Sequence, residues 1–301
     1  MLGTLRIGTR GSPLALVQAR LVATALRDAN GWGPGQLEIV PIATSGDMSR
    51  DRPISEIGGK ELWTRELDRA LLEGRTDMSV HSMKDVETIR PDSLSIPAML
   101  PRADVRDKLI GARSIKALPE GARVGTSSPR RAAQLLSRRP DLQIVALRGN
   151  VETRLRKLDM GEADATLLAA AGLDRIGQSE VGYVLPHLLP APGAIGVEIR
   201  ADDRRLRALV AKIDDEPTHQ CVGAERRLLA ALGGSCHSPI AALAVFDGDE
   251  ILLRAEILTQ DGRESARGEA RFPPGDEAAP AELAHRLLRE ASPALRSLFG
   301  W

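Results

Sequence analysis

Aromatic residues make up only 2% of this 301-residue chain: three Phe, three Trp and one Tyr. That leaves too few rings for the stacking platforms that hold single-stranded nucleic acid. Cysteine is scarcer still. Two residues, Cys221 and Cys236, do not make a disulfide framework and fit a reducing compartment. Charge of one sign is not in excess either, with 41 basic residues against 41 acidic, so no bulk field favours nucleic acid or a membrane surface. No apolar run is long enough to span a bilayer. Met1-Leu2-Gly3-Thr4-Leu5-Arg6 is not a secretory signal. The expected setting is the cytoplasm, with no nucleic-acid or membrane partner.

What is present is arginine in particular places. Arg123-Val124-Gly125-Thr126-Ser127-Ser128-Pro129-Arg130-Arg131 reads as a strand end, a glycine, small hydroxyl residues and then the first turn of a helix. Ser128 is the natural N-cap, and Pro129 suits the first helical position. The bare N–H groups and the dipole make such a terminus an anion site. Two guanidiniums placed there work against the helix unless an anion is expected. Leu147-Arg148-Gly149-Asn150-Val151-Glu152-Thr153-Arg154 repeats the pattern, and Thr9-Arg10-Gly11-Ser12-Pro13 gives it a third time. Strand ends that each carry arginine describe a site for a ligand with several carboxylates or phosphates.

Taken in order, residues 5–8 predict a strand and residues from 13 a helix capped by Ser12, with Leu14, Val17, Leu21 and Ala25 as its buried stripe. A strand over 37–43 precedes a polar, glycine-containing stretch, 44–59, long enough to be a functional loop. A helix is expected from residue 60, with Trp63, Leu67, Ala70 and Leu71 on one face. A short buried strand over 78–81 ends in Ser82-Met83-Lys84-Asp85, two charges at a strand's carboxyl end, where open α/β sheets place ligands. His81 reads as a satisfied core histidine. Chain crossings are expected at 101–104 and 188–193, around a βα segment with strands near 108–112, 124, 144–147 and 165–168 and helices near 129–138 and 151–160. Gly172-Leu173-Asp174-Arg175 reads as one more turn bringing an arginine to a strand end. A return strand over 194–200 implies one domain inserted into another. The last part predicts a helix over 218–232, three strands (240–246, 251–259, 264–272) and a helix over 281–291. Cys236 follows Gly233-Gly234 on a loop, which suits a reactive or modified thiol, whereas Cys221 within a helix suits the core. His219, Cys221, Cys236 and His237 match no common zinc spacing, so no metal site is expected.

These residues carry a resemblance. Residues 5–16, Gly58-Gly59-Lys60, His81-Ser82-Met83-Lys84-Asp85-Val86, 125–131, 147–154, Ala171-Gly172-Leu173 and 233–236 together resemble hydroxymethylbilane synthase, also called porphobilinogen deaminase, almost end to end. The resemblance implies an α/β fold of two periplasmic-binding-protein-like (type 2) domains around a cleft, plus a small α+β C-terminal domain. The corresponding boundaries are 1–100 with 194–215, 104–190, and 218–301. It implies a monomeric transferase of porphyrin and heme biosynthesis that condenses four porphobilinogen molecules head to tail, with loss of ammonia through an azafulvene, on a covalent dipyrromethane primer, and then releases hydroxymethylbilane by hydrolysis. By similarity Asp85 is catalytic. Cys236 holds the dipyrromethane through a thioether, with Lys84, Thr126, Ser128, Arg130, Arg131, Arg148 and Gly172 around it. Arg10, Ser12, Arg154, Arg175, Lys60 and Trp63 are implied for substrate. Acetate and propionate on every ring account for planar bidentate arginines, and residues 44–59 would be a lid. By this resemblance the chain departs from the family in three places: Pro192-Gly193-Ala194-Ile195-Gly196 lacks the Gln-Gly pair of Gly-Gln-Gly, Trp63 stands for Phe, and Pro129 stands for an aliphatic residue.

The competing reading is a non-catalytic polycarboxylate-binding protein of periplasmic-receptor type. The same arginine turns would serve it, but it has no signal peptide to export it and no use for Cys236.

Overall fold

The computed structural model describes residues 3–44, 63–234 and 238–301. The chain divides into two compact units, Met1–Ala103 with Ala194–His219, and Asp104–Gly193 with Gln220–Trp301.

In the first unit, β1 (Leu5–Arg10), β2 (Leu37–Ile42), β3 (Met78–Ser82), β4 (Leu94–Met99) and β10 (Ile195–Arg200) form one sheet in the order β2-β1-β3-β10-β4. β1 runs parallel to β2 and β3, while β10 runs antiparallel to β3 and β4. The carboxyl ends of β1 and β3 therefore lie at one edge. Helix α1 (Pro13–Asn30) starts as its sequence requires: Ser12 accepts from the Ala15 N–H, Pro13 opens the first turn, and Gly31 closes the helix at φ 65°. Its buried face is Gln18, Ala19, Val22, Ala23 and Leu26, not the predicted stripe. Leu14, Val17 and Ala25 are half-buried and Leu21 is 44% exposed. Two neighbouring stripes of this helix have helical spacing, and the one holding two alanines allows the closer approach to the sheet. Its core joins Ile7, Leu26, Met78, Val197 and Ile199. Each such buried side chain contributes roughly 1.5–3 kcal/mol. Helix α2 (Arg65–Leu72) buries Leu67, Ala70 and Leu71, and Trp63 lies in the turn before it.

In the second unit, β5 (Asp107–Ile110), β6 (Arg123–Gly125), β7 (Gln143–Val145), β8 (Ala165–Ala169) and β9 (Tyr183–Leu185) are ordered β7-β6-β8-β5-β9. Again three neighbours are parallel, here β7, β6 and β8, and the first strand of this unit, β5, lies antiparallel beside β8. Both sheets thus have the same pattern, with one antiparallel strand between a parallel set and an edge. Helices α3 (Pro129–Leu136), α4 (Val151–Asp159) and α5 (Ala170–Arg175) follow β6, β7 and β8. The predicted turn at 172–175 is in fact the end of α5, and Gly172 is buried within it.

The rest of this unit is a three-stranded antiparallel sheet, β11 (Ile240–Asp247), β12 (Glu250–Leu258) and β13 (Ser265–Phe272). Two further helices follow α6 (Arg204–Val210) of the first unit: α7 (Glu216–Ala231) and α8 (Ala279–Glu290), which share a core with this sheet that includes Leu228, Leu253, Ile257 and Leu287. The short α9 (Pro293–Ser297) closes the chain. Cys221 is 4% exposed in that core, as its helical position predicts. Periodicity in the sequence predicts neither β9, α6 nor α9.

Candidate active site

At the edge of the first unit, β1 ends in Arg10. Its guanidinium lies over the Trp63 ring, 4.0 Å from the centroid, and its Nη1 is 3.6 Å from Asp85 Oδ2. β3 passes into a single 3₁₀ turn, Met83–Asp85. Met83 seats that turn: it is buried, its N–H donates to the Ala194 carbonyl at 3.1 Å, and its sulfur fills the space left by Gly196. A Cβ at Gly196 would come within 2.3 Å of Met83 Sδ. Lys84 is exposed and Asp85 half-buried. Ser12 Oγ is engaged in capping α1, which leaves its O–H available as a donor. Ser82 shares two hydrogen bonds with buried Gln18, at 2.7 and 3.1 Å.

Behind this edge is a buried network that the sequence did not reveal. Arg90 donates to Glu198 at 2.8 and 3.1 Å, to Asp68 at 2.6 Å and to Glu87 at 2.6 Å. Thr64 donates to Glu87 at 2.8 Å, and His81 Nε2 is 3.0 Å from Glu198, so His81 is the satisfied core histidine expected. Burial pushes Glu198 up, but hydrogen bonds and charge from His81 and Arg90 outweigh it and bring the group down to about 2. Burial wins at Asp68, raised to about 6 against the pull of Arg90. Burial lowers Arg90, yet Glu198 and Asp68 together hold it above the ordinary range. Asp68, His81 and Glu198 hold ligand atoms within 4.8 Å of one another, a spacing a metal ion could use. The Arg90 guanidinium supplies the positive charge between the two carboxylates, so these groups are satisfied without one.

At the edge of the second unit, three parallel strands deliver their loops side by side. After β6, Thr126 N–H donates to Val145 O at 2.9 Å and Thr126 Oγ1 accepts from Ser128 N–H at 3.1 Å. Ser128 caps α3 by accepting from the Arg131 N–H. After β7, Gly149 turns at φ 116°, Asn150 caps α4 by accepting from Thr153 N–H at 2.8 Å, and Arg154 Nε donates back to Gly149 O at 3.0 Å. Arg148 is half-buried in the same turn. After β8, Arg175 at the end of α5 donates to Gly193 O at 2.9 Å, and burial lowers it despite Asp174. Gly193 itself takes φ 68°.

Arg130 and Arg131 differ from the expectation. Both are buried and both are bound to one carboxylate, Asp107 of β5, at 3.0 Å for Arg130 and at 2.5 and 3.1 Å for Arg131. Arg131 also donates to Leu167 O at 3.0 Å and Arg130 to Leu189 O at 2.5 Å. Burial pushes Asp107 up, but the Arg131 and Arg130 charges more than offset it and hold the carboxyl well below its usual range. Two cations share one anion, so the group keeps a net positive charge beside the α3 N-terminus. The sequence pattern found the arginines but not their internal partner.

Cys236 and Lys60 lie outside the described residues, as does the stretch from residue 45 to 62 that holds most of the expected lid. The donor set that is described fits a dipyrromethane bearing acetates and propionates: guanidiniums, hydroxyls and capped helix N-termini at the second unit's edge, with surplus positive charge.

Two family models match in sequence order. "Porphobilinogen deaminase, dipyromethane cofactor binding domain" covers residues 5–208, and "Porphobilinogen deaminase, C-terminal domain" covers 219–291. The porphobilinogen deaminase of Sphingopyxis alaskensis is 55% identical over 305 residues, covering 98% of this chain and 96% of its own. That of Paracoccus denitrificans is 50% identical over 304 residues, covering 99% and 96%. Among solved structures, a periplasmic substrate-binding protein of an ABC transporter from Coxiella burnetii is 17% identical, with TM-score 0.43 over 70% of this chain and 92% of its own. With both family models matched in order and half-identical relatives over nearly full length, the chain belongs to the porphobilinogen deaminase family.

Proposed function

We propose that the chain is a transferase that condenses four porphobilinogen molecules head to tail with loss of ammonia and releases hydroxymethylbilane. The supporting observation is the charge arrangement at the two sheet edges. The second unit collects guanidiniums and hydroxyls at the carboxyl ends of β7, β6 and β8, while the first unit presents the Asp85 carboxylate held by Arg10. A bound dipyrromethane, joined by a thioether to Cys236, supplies the pyrrole primer to which the new units are added. Arg148, Arg154, Arg175, Thr126 and Ser128 orient ring carboxylates, since guanidinium forks match them bidentately. Arg130 and Arg131 act differently: fixed on Asp107, they set a positive potential at the α3 N-terminus. Asp85 is placed to accept pyrrole N–H bonds and to stabilise positive charge as the aminomethyl C–N bond of porphobilinogen breaks and ammonia leaves, a preorganised electrostatic role. The proposed setting is the cytoplasm and the proposed state a monomer.

Incubation with porphobilinogen tests this. The expected result is one ammonia released for each porphobilinogen consumed, with hydroxymethylbilane detected as the porphyrinogen to which it cyclises with loss of water, read as porphyrin after oxidation by added iodine. Tight binding of porphobilinogen without ammonia release would instead identify a receptor.

A further inference from the structure

The Asp85 turn and Trp63 belong to distant stretches of the chain, and one buried set of groups ties them. Glu87 follows Asp85 by two residues, and Thr64 follows Trp63 directly. The Thr64 hydroxyl donates to Glu87 Oε2 at 2.8 Å. Arg90 Nη1 donates to the same oxygen at 2.6 Å and lies 3.5 Å from the Thr64 hydroxyl. The rest of the guanidinium is anchored in the core by Glu198 of β10 and Asp68 of α2. Trp63 carries Arg10 on its face, and Arg10 reaches Asp85. The contacts close a ring: Asp85, Glu87, Thr64, Trp63, Arg10 and back to Asp85, with Arg90 bracing it from beneath.

Resting on the function proposed above, we propose that Thr64, Glu87 and Arg90 form a strut that positions Asp85 and the Arg10–Trp63 pair. None of the three touches the reacting atoms in this role. They are positioning residues, and the strut acts through Asp85. Thr64 is fully buried, so Thr64→Val keeps its shape and deletes only the hydroxyl, with its bond to Glu87 and its 3.5 Å contact with Arg90. Because Arg90 binds three carboxylates with one planar fork, a lysine can replace its charge but not its geometry.

Two measurements test the strut. The first needs no turnover. In a Trp32→Phe, Trp301→Phe background, acrylamide quenching reports Trp63 alone. Thr64→Val and Arg90→Lys are expected to raise its quenching constant at temperatures where far-UV circular dichroism is unchanged. The second is kinetic, on protein whose cofactor content is verified by mass. Thr64→Val is expected to lower kcat by about 10-fold, since small misplacements of a catalytic group are costly, with KM little changed. The same substitution in an Asp85→Asn background should cost nothing more, because residues acting as a unit are non-additive. Unaltered Trp63 quenching overturns the proposal, and so does a full repeat of the kcat loss in the Asp85→Asn background. If the wild type releases no ammonia from porphobilinogen, the proposed function fails, and the quenching result still decides the strut.

Discussion

Asp107 is 1% exposed between two guanidiniums, whereas Asp85 is half-buried with Arg10 at 3.6 Å. Both carboxylates sit beside arginine, but their surroundings give them different work. Asp107 is structural, and Asp107→Asn strands two buried cations. Removing one partner of a buried pair costs about 3–5 kcal/mol, to be read from urea unfolding at pH 7. The sign of its pH dependence follows from its lowered pKa: the stabilisation is complete above the ordinary carboxylate range near ~4 and is lost as pH falls through the depressed folded value. The gap between wild type and Asp107→Asn should therefore narrow in acid. Asp68 has the opposite sign. Its folded pKa is raised to about 6, so the folded state holds the extra proton and the contribution fades as pH rises from ~4 to about 6. Asp68→Asn should gain stability relative to wild type across that window, and a constant difference from pH 4 to 7 would refute the assignment. For Asp85 the expectation is kinetic. Asp85→Asn should keep the covalent cofactor and lose about 10²–10³ in kcat, with Asp85→Glu less impaired. A loss under about threefold is worth less than ~1 kcal/mol and would remove Asp85 from the catalytic role.

Elements impose their own requirements. The Gly149 turn at φ 116° would bring a Cβ within 2.6 Å of Thr153 Cγ2, one residue after the Arg148 it presents. Gly149→Ala combines positive-φ strain with that contact, so a loss of about 1–3 kcal/mol is expected, measurable by thermal unfolding. Gly262 is as tightly placed: at φ 68° its Cβ would meet Ala133 O and Ser137 N of the α3 end at 2.5 Å. The turn between β12 and β13 thus abuts the helix whose other end carries Arg130 and Arg131. These elements were legible in unequal degree. Ser12, Ser128 and Asn150 were readable as caps because capping depends on residues three apart. The parallel strand ends and their arginines followed from repeated local patterns. The buried face of α1 did not, since two adjacent stripes satisfy one spacing. Nor did Asp107, 24 residues before Arg131 on an antiparallel strand, nor the Arg90 network, which joins Glu198 to His81 across 117 residues. Pairings made by tertiary structure leave no short-range signal, and in sequence Asp68 and Glu87 look like ordinary surface charges.

Across the whole molecule, charge is neutral in sum, yet both larger sheets carry arginine at the carboxyl ends of parallel strands, Arg10 at the end of β1 and Arg148 after β7. Both sheets use an antiparallel strand beside three parallel ones, which frees the carboxyl ends of the parallel strands for loops that carry chemistry. The third sheet packs with α7 and α8 around its own core and precedes no such arginine turns; its proposed contribution is the thiol of Cys236. The central claim is that this thiol carries a dipyrromethane, and intact-mass measurement of the purified protein tests it most directly. Wild type and Cys221→Ser are predicted to be heavier than their sequences by two linked pyrrole units, and Cys236→Ser to have the bare sequence mass, because a hydroxyl is a far poorer nucleophile than a thiolate. An unmodified wild type, or a Cys236→Ser protein that still carries the added mass, would contradict it.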